Sequence, residues 1–204
     1  MSIPAIPLAT LLDGRRLWRG RRDAQPPSHI PTGWSTLDAA LPANGWPEAA
    51  LTEILHACDG LGEIHLLWPA LAQLSQAGKR VVLVAPPYPP HAPAWEAAGL
   101  VLSRITIIEA PHEHAAWAME QCLRSGDCAA VLGWLGQADD RTLRRLQLAT
   151  ATGHALGFVF RPSHALAQAS PATLRLEVQP GWLRIHKCRG RAPLAPLAYS
   201  YASS

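Results

Sequence analysis

The residues best placed to do chemistry lie in one short loop. His56-Ala57-Cys58-Asp59-Gly60-Leu61-Gly62-Glu63-Ile64 follows an apolar run and precedes a helical pattern, which is where an α/β protein keeps its phosphate site. It has the length and the glycines of a P-loop, Gly60 and Gly62 included. A working P-loop then needs lysine for the phosphates and serine or threonine for magnesium. Glu63 and Ile64 stand at those places. A carboxylate repels a triphosphate, isoleucine cannot ligate a metal, and Asp59 adds a second negative charge. The loop therefore predicts an inactive, vestigial nucleotide site with no cofactor. Histidine and cysteine give a weaker signal. His56 with Cys58, His112 with His114, and Cys122 with Cys128 lack the CxxC or HExxH spacing of a zinc site, so no metal is expected. No serine or cysteine nucleophile carries a local signature, and the sequence reads as a non-enzyme.

The elements that position this loop follow from the periodicity. Leu51–His56 reads as a strand, and residues 62–77 as a helix kinked by Pro69. Residues 81–85 are a continuous apolar run, the mark of a strand buried on both faces. Residues 92–98, 112–125 and 139–152 read as helices, the last with Asp139 and Asp140 at its favourable end. Residues 105–108, 128–134 and 156–160 read as strands. Residues 172–178 and 182–189 flank the Pro180-Gly181 turn and predict a hairpin. Alternating strand and helix argues for α/β: a mainly parallel β-sheet flanked by helices, with a C-terminal antiparallel hairpin. The expected organisation is a basic extension over 1–29, one domain over 30–191, and a Pro-containing tail over 192–204.

The chain has 204 residues, of which 49% are hydrophobic and 16% charged. That excludes a disordered or collagen-like chain, and no apolar run is long enough to cross a membrane. Four irregularly spaced cysteines in a chain this large fit reduced thiols in a cytoplasm. Charge is segregated. Residues 1–30 carry five arginines and two aspartates, and residues 181–204 carry Arg184, Lys187, Arg189 and Arg191 with no acid. Basic ends on an acidic body suggest anionic partners at the termini, DNA among them. Trp182 with Arg184, Lys187, Arg189, Arg191, Tyr199 and Tyr201 forms the expected partner site. Trp18 with Arg19, Arg21 and Arg22 forms its rival. Alternation along 182–187 places Trp182, Arg184 and His186 on one face and Leu183, Ile185 and Lys187 on the other. The tail beyond Arg191 is expected to be extended and poorly packed. Of the eight tryptophans, Trp68, Trp95 and Trp117 are expected to pack on the sheet. Trp18, Trp34, Trp46 and Trp182, in loops or tails, are the candidates for partner contact.

The run Ile30-Pro31-Thr32-Gly33, Leu37-Asp38-Ala39-Ala40-Leu41, Gly45-Trp46-Pro47 and Thr52-Glu53-Ile54 resembles the start of the RecA recombinase core. The likeness extends over roughly residues 30–193. In that register the catalytic glutamate falls on Pro87, the magnesium aspartate on Trp134 and the nucleotide-sensing glutamine on Arg161. The resemblance thus implies a RecA-like fold without its chemistry, with Trp134 filling the space of the nucleotide. Two families share such a stripped core. The chain resembles ImuA, a translesion-synthesis accessory family, in Trp18-Arg19-Gly20, Pro31-Thr32-Gly33-Trp34, Leu66-Leu67-Trp68-Pro69-Ala70-Leu71-Ala72, Val84-Ala85-Pro86-Pro87, Arg144-Arg145-Leu146-Gln147-Leu148-Ala149 and Gly157-Phe158-Val159-Phe160-Arg161-Pro162. That resemblance implies a non-catalytic adaptor of SOS-induced DNA repair and mutagenesis that binds ImuB, an error-prone DnaE-type polymerase and RecA. The other family, SulA, implies instead an SOS cell-division inhibitor that binds FtsZ.

Overall fold

The computed structural model describes residues 28, 30–60, 62–190 and 195–200. The chain starts with a short helix, α1 (Ser35–Ala40), and strand β1 (Leu51–His56). A 3-10 turn (His65–Leu67) leads into α2 (Trp68–Gln76), followed by β2 (Arg80–Val84), α3 (Ala92–Ala97) and β3 (Ile105–Ile108). Then come α4 (His112–Arg124), β4 (Cys128–Trp134), α5 (Asp140–Gly153) and β5 (Leu156–Pro162). A second 3-10 turn (Ser163–Ala167) precedes β6 (Leu174–Gln179), β7 (Trp182–Cys188) and β8 (Leu197–Ala198). The eight strands form one sheet in the order β3-β2-β4-β5-β1-β6-β7-β8. Pairing is parallel from β3 through β6 and antiparallel at β6–β7 and β7–β8.

Each strand's burial follows from its place. In β2, Val81 and Leu83 face a core layer with α1, α2 and α3, while Val82 and Val84 face a second layer with α4 and α5. Both faces are covered, so the strand has no polar alternation. Helix α5 begins at Asp139, whose carboxylate accepts the Thr142 N–H at 2.8 Å, and ends where Gly153 passes the α4 terminus. A Cβ at Gly153 would lie 1.8 Å from the Leu123 carbonyl oxygen, so only glycine permits the approach that seals the second layer.

Three expectations are corrected here. Pro69 does not kink a long helix: it lies in the first turn of α2, where its missing N–H costs nothing, and the turn before it is 3-10. The tail returns to the sheet as β8, with Tyr199 2% exposed. The RecA-core reading is also not upheld. The sheet is an eight-stranded mixed one closed by two antiparallel strands, and the loop after β1 feeds a nine-residue helix through a 3-10 turn.

Candidate functional site

A cleft of about 260 Å³ opens at the C-terminal ends of β1, β2 and β4. Strand β1 delivers the loop that carries Asp59, Gly60, Glu63 and Ile64, β2 delivers Pro86, Pro87 and Tyr88, and β4 delivers Trp134. Of the six residues expected for the vestigial site, five line one wall or another, and Gly62 is buried just behind them. Trp134 does not fill the space. Its ring stacks on Phe160 with centroids 4.6 Å apart and planes 15° apart, and it stays half-buried, lining an open cleft. Pro87 and Tyr88 are exposed on the rim. The chain enters that rim through Ala85, whose φ of 49° lies in the left-handed region, a local strain for a residue with a Cβ.

The floor is unusual electrically. Glu63 is 5% exposed. Its Oε1 accepts the Gly60 N–H at 2.9 Å, while its buried Oε2 has no hydrogen-bond partner among the described residues. Beside it, His65 lies against Trp68 with ring centroids 3.9 Å apart. Burial pushes the His65 imidazole below its ordinary value, against the opposing pull of Glu63, so it is neutral at pH 7. Asp59 lies 3.8 Å from the His56 ring at the end of β1.

Arg161, the expected nucleotide-sensor position, is part of a buried ion triad. Glu53 on β1 is 0% exposed, Arg161 on β5 1% and Arg175 on β6 7%. Both arginines contact the Glu53 carboxylate at 2.6 Å. Nothing in the sequence singled out Glu53 and Arg175 as partners. Their signal was only that each is a charge inside an otherwise apolar strand.

The C-terminal candidates divide. Trp182, Arg184, Lys187 and Arg189 are exposed or half-exposed on or just past β7. The Arg184 guanidinium lies 5.4 Å from the Trp182 ring centroid, a cation–π contact. The expected alternation fails at one point. The β6–β7 register slips so that Arg175 faces Lys187 while Leu176 faces Ile185. His186 is the extra residue of a β-bulge, and Lys187 stands outward with Arg184 rather than inward with Ile185. Tyr199 is not a free anchor: it is buried in the core. Arg191 and Tyr201, and the rival site of Trp18, Arg19, Arg21 and Arg22, lie outside the described residues. Two loop tryptophans are also corrected. Trp46 is 0% exposed and packs edge-on against Phe158, and Trp34 donates its N–H to the Leu66 carbonyl at 3.1 Å. Trp117, expected on the sheet, is 60% exposed on α4.

On the same outward face of the hairpin, His186 and Glu177 lie 2.7 Å apart. Burial alone would push the Glu177 carboxyl up, but hydrogen bonds from His186 and Gln179 hold it below its ordinary value. A lowered carboxyl contributes stability above its unfolded value of 4.5, lost as pH falls through the folded value. The stability gap between wild type and Glu177→Gln should therefore shrink on acidification from about pH 6 to about pH 3. A gap that stays constant across that range in urea titrations would contradict the assignment.

Cys122 and Cys128 meet where α4 turns into β4. The hydrogen bond between the thiols lowers Cys128 to about 6 and raises Cys122. All four cysteines are free. Among the described residues no group of three or more His, Cys, Asp or Glu is placed to hold a metal ion, and no helix is long and apolar enough to cross a membrane.

Residues 50–157 match the family model described as cell division inhibitor SulA. The chain is 39% identical over 85 residues to a cell division inhibitor SulA of Photorhabdus laumondii, covering 42% of this chain and 41% of that protein. It is 28% identical over 129 residues to the SulA of Yersinia enterocolitica, covering 62% of this chain and 77% of that one. A crystal structure of SulA from Pseudomonas aeruginosa is similar at 28% identity, covering 57% of this chain and 99% of that chain, with a TM-score of 0.47. The chain thus spans under half of the Photorhabdus relative it matches. These matches overturn the ImuA resemblance. They remove with it the translesion-synthesis role, the ImuB and DnaE-type polymerase partners and the RecA-like pseudo-ATPase assignment. The ImuA likeness rests on segments of three to seven residues, whereas the SulA match is continuous through the loop, the cleft and the α4–α5 layer.

Proposed function

The chain belongs to the SulA family of cell division inhibitors, and on that premise we propose that it is a DNA-damage-induced inhibitor that binds the division protein FtsZ in the cytoplasm and blocks its assembly. It is not an enzyme. The observation that carries the reading is the continuous family match over residues 50–157, which spans β1 to the start of β5. A protein that acts by occupying a partner needs a stable scaffold and an exposed surface, not an aligned set of reactive groups. Among the described residues, exposed surfaces for that contact include the cleft rim, with Tyr88 69% exposed, and the basic outer face of β7.

The contact surface proposed on β7 comprises Trp182, Arg184, Lys187 and Arg189. It is supported by exposure and by charge, and an exposed Trp–Arg pair is a frequent interface anchor. It lies outside residues 50–157, so it can be tested separately from the matched segment. An equimolar amount of the full chain should abolish GTP-dependent FtsZ assembly followed by light scattering. FtsZ, and not ImuB, should be retained on the immobilised chain. The double variant Arg184→Glu/Lys187→Glu should weaken retention at least about tenfold, since reversing charges at an interface costs both attraction and new repulsion. Undiminished FtsZ assembly with the wild-type chain would sink the function. Undiminished retention of the double variant would move the contact to the cleft rim.

A further inference from the structure

The cleft at the ends of β1, β2 and β4 has a composition that selects a ligand. Its lining among the described residues holds two carboxylates, Asp59 and Glu63, and two histidines, His65 and His91, with no lysine or arginine. His65 on its wall is neutral at pH 7 because burial lowers it. Glu63 is 95% buried, with Oε1 satisfied by Gly60 and Oε2 unpartnered. A buried carboxylate oxygen without a donor is costly, and a cation or strong N–H donor is what relieves it. The walls point the same way. Trp134 stacks on Phe160 with one face and is half-buried in the cleft wall. Trp68, Trp95 and Tyr88 complete an aromatic surround. Ring faces are electrically negative and attract cations, more strongly when these are desolvated. A nucleotide is excluded by the same features, since two carboxylates oppose its phosphates.

We propose that this cleft is a binding site for a small organic cation, an alkylguanidinium or alkylammonium, with its charge on Glu63 Oε2 and its carbon chain between the Trp134 and Trp68 indoles. A volume of about 260 Å³ holds a group of that size and no more than a short chain. Planar guanidinium matches the arrangement best, because it can stack on an indole while donating in its own plane to a carboxylate. The inference goes beyond the FtsZ reading and does not depend on it.

The experiment is a titration of the full chain with ethylguanidinium, followed by tryptophan fluorescence, beside N-ethylurea as its uncharged isostere. Ethylguanidinium should give a saturable change with a Kd on the order of 1 mM, and N-ethylurea should bind at least tenfold more weakly. ATP should produce no saturable change. Glu63→Gln keeps an oxygen for the Gly60 N–H and should weaken ethylguanidinium at least tenfold, and Trp134→Leu should weaken it severalfold. Equal affinity for the urea and the guanidinium in the wild-type chain overturns the proposal, whatever the variants do. So does unchanged ethylguanidinium affinity in a folded Glu63→Gln chain, or no saturation at all. No FtsZ enters the titration, so its outcome is independent of the division-inhibitor assay.

Discussion

Replacing Glu53 with alanine is expected to remove about 3–5 kcal/mol of stability, the scale measured when one member of a buried ion group is deleted. The geometry places the change at the costly end of that range. Glu53 is the single carboxylate between two guanidinium groups, both of them more than nine-tenths buried. Its loss leaves two like charges in the same desolvated space. Neither arginine can swing to water, because each is pinned elsewhere. Arg161 donates to the Ala138 carbonyl at 2.7 Å and to Gln168 Oε1 at 2.6 Å. Arg175 donates to the carbonyls of Ala165 at 3.0 Å and Gln168 at 3.1 Å. The triad therefore ties three strands to the loop before α5 and to the 3-10 turn after β5. Urea unfolding at neutral pH gives the number directly. The triple variant Glu53→Leu/Arg161→Met/Arg175→Leu should recover most of the loss, because an apolar filling of similar volume does not pay to desolvate ions. A Glu53→Ala loss under about 1 kcal/mol, the scale of a solvated pair, would mean that water reaches the triad.

How much of this was legible in the sequence depends on whether the signal was local. Strands 105–108 and 128–134 are readable to the residue, since a short, mostly apolar run between turn signals has few other solutions. The start of α5 at Asp139-Asp140 is readable for a different reason: acidic side chains favour a helix N-terminus and cap it. The cleft was partly legible: Gly60, Glu63, Ile64, Pro87 and Trp134 do converge on it. What failed was non-local. Whether Trp46 is an anchor or a core residue depends on Phe158, more than a hundred positions away. Trp117 carries an ordinary helix-face signal, yet α5 covers the neighbouring face and leaves it out. Lys187 changed side through one inserted residue, His186, which no alternation pattern reports. Arg161 was assigned a role through the RecA register, and the structure gives it a different one. The short segments that look distinctive point to the wrong family, whereas the match that identifies the family extends over residues 50–157.

The second large effect is expected at Tyr199. Tyr199→Ala should cost about 3 kcal/mol, by loss of a buried ring and the cavity it leaves. The side chain is 2% exposed, packs edge-on against Trp34 with centroids 4.8 Å apart, and donates its hydroxyl to the Gly62 carbonyl at 2.6 Å. Its backbone N–H donates to the Gly181 carbonyl at 3.1 Å. One residue thus joins the hairpin turn, the segment before α1 and the loop after β1. Tyr199→Phe keeps the ring and removes only the hydroxyl, so it should cost about 1 kcal/mol. A chain ending at Gly190 should lose at least as much as Tyr199→Ala, because it removes β8 as well. Urea unfolding of these three chains separates ring, hydroxyl and strand. The amide of Gly62 should also exchange faster in the Tyr199→Phe chain, because the peptide before Glu63 has lost its fixed neighbour. If the chain ending at Gly190 is as stable as the full one, Tyr199 is a passenger on the surface of Trp34 and the tail is free to meet a partner. If it is destabilised as expected, the tail is part of the domain, and the loop that floors the cleft is held from the far end of the sequence.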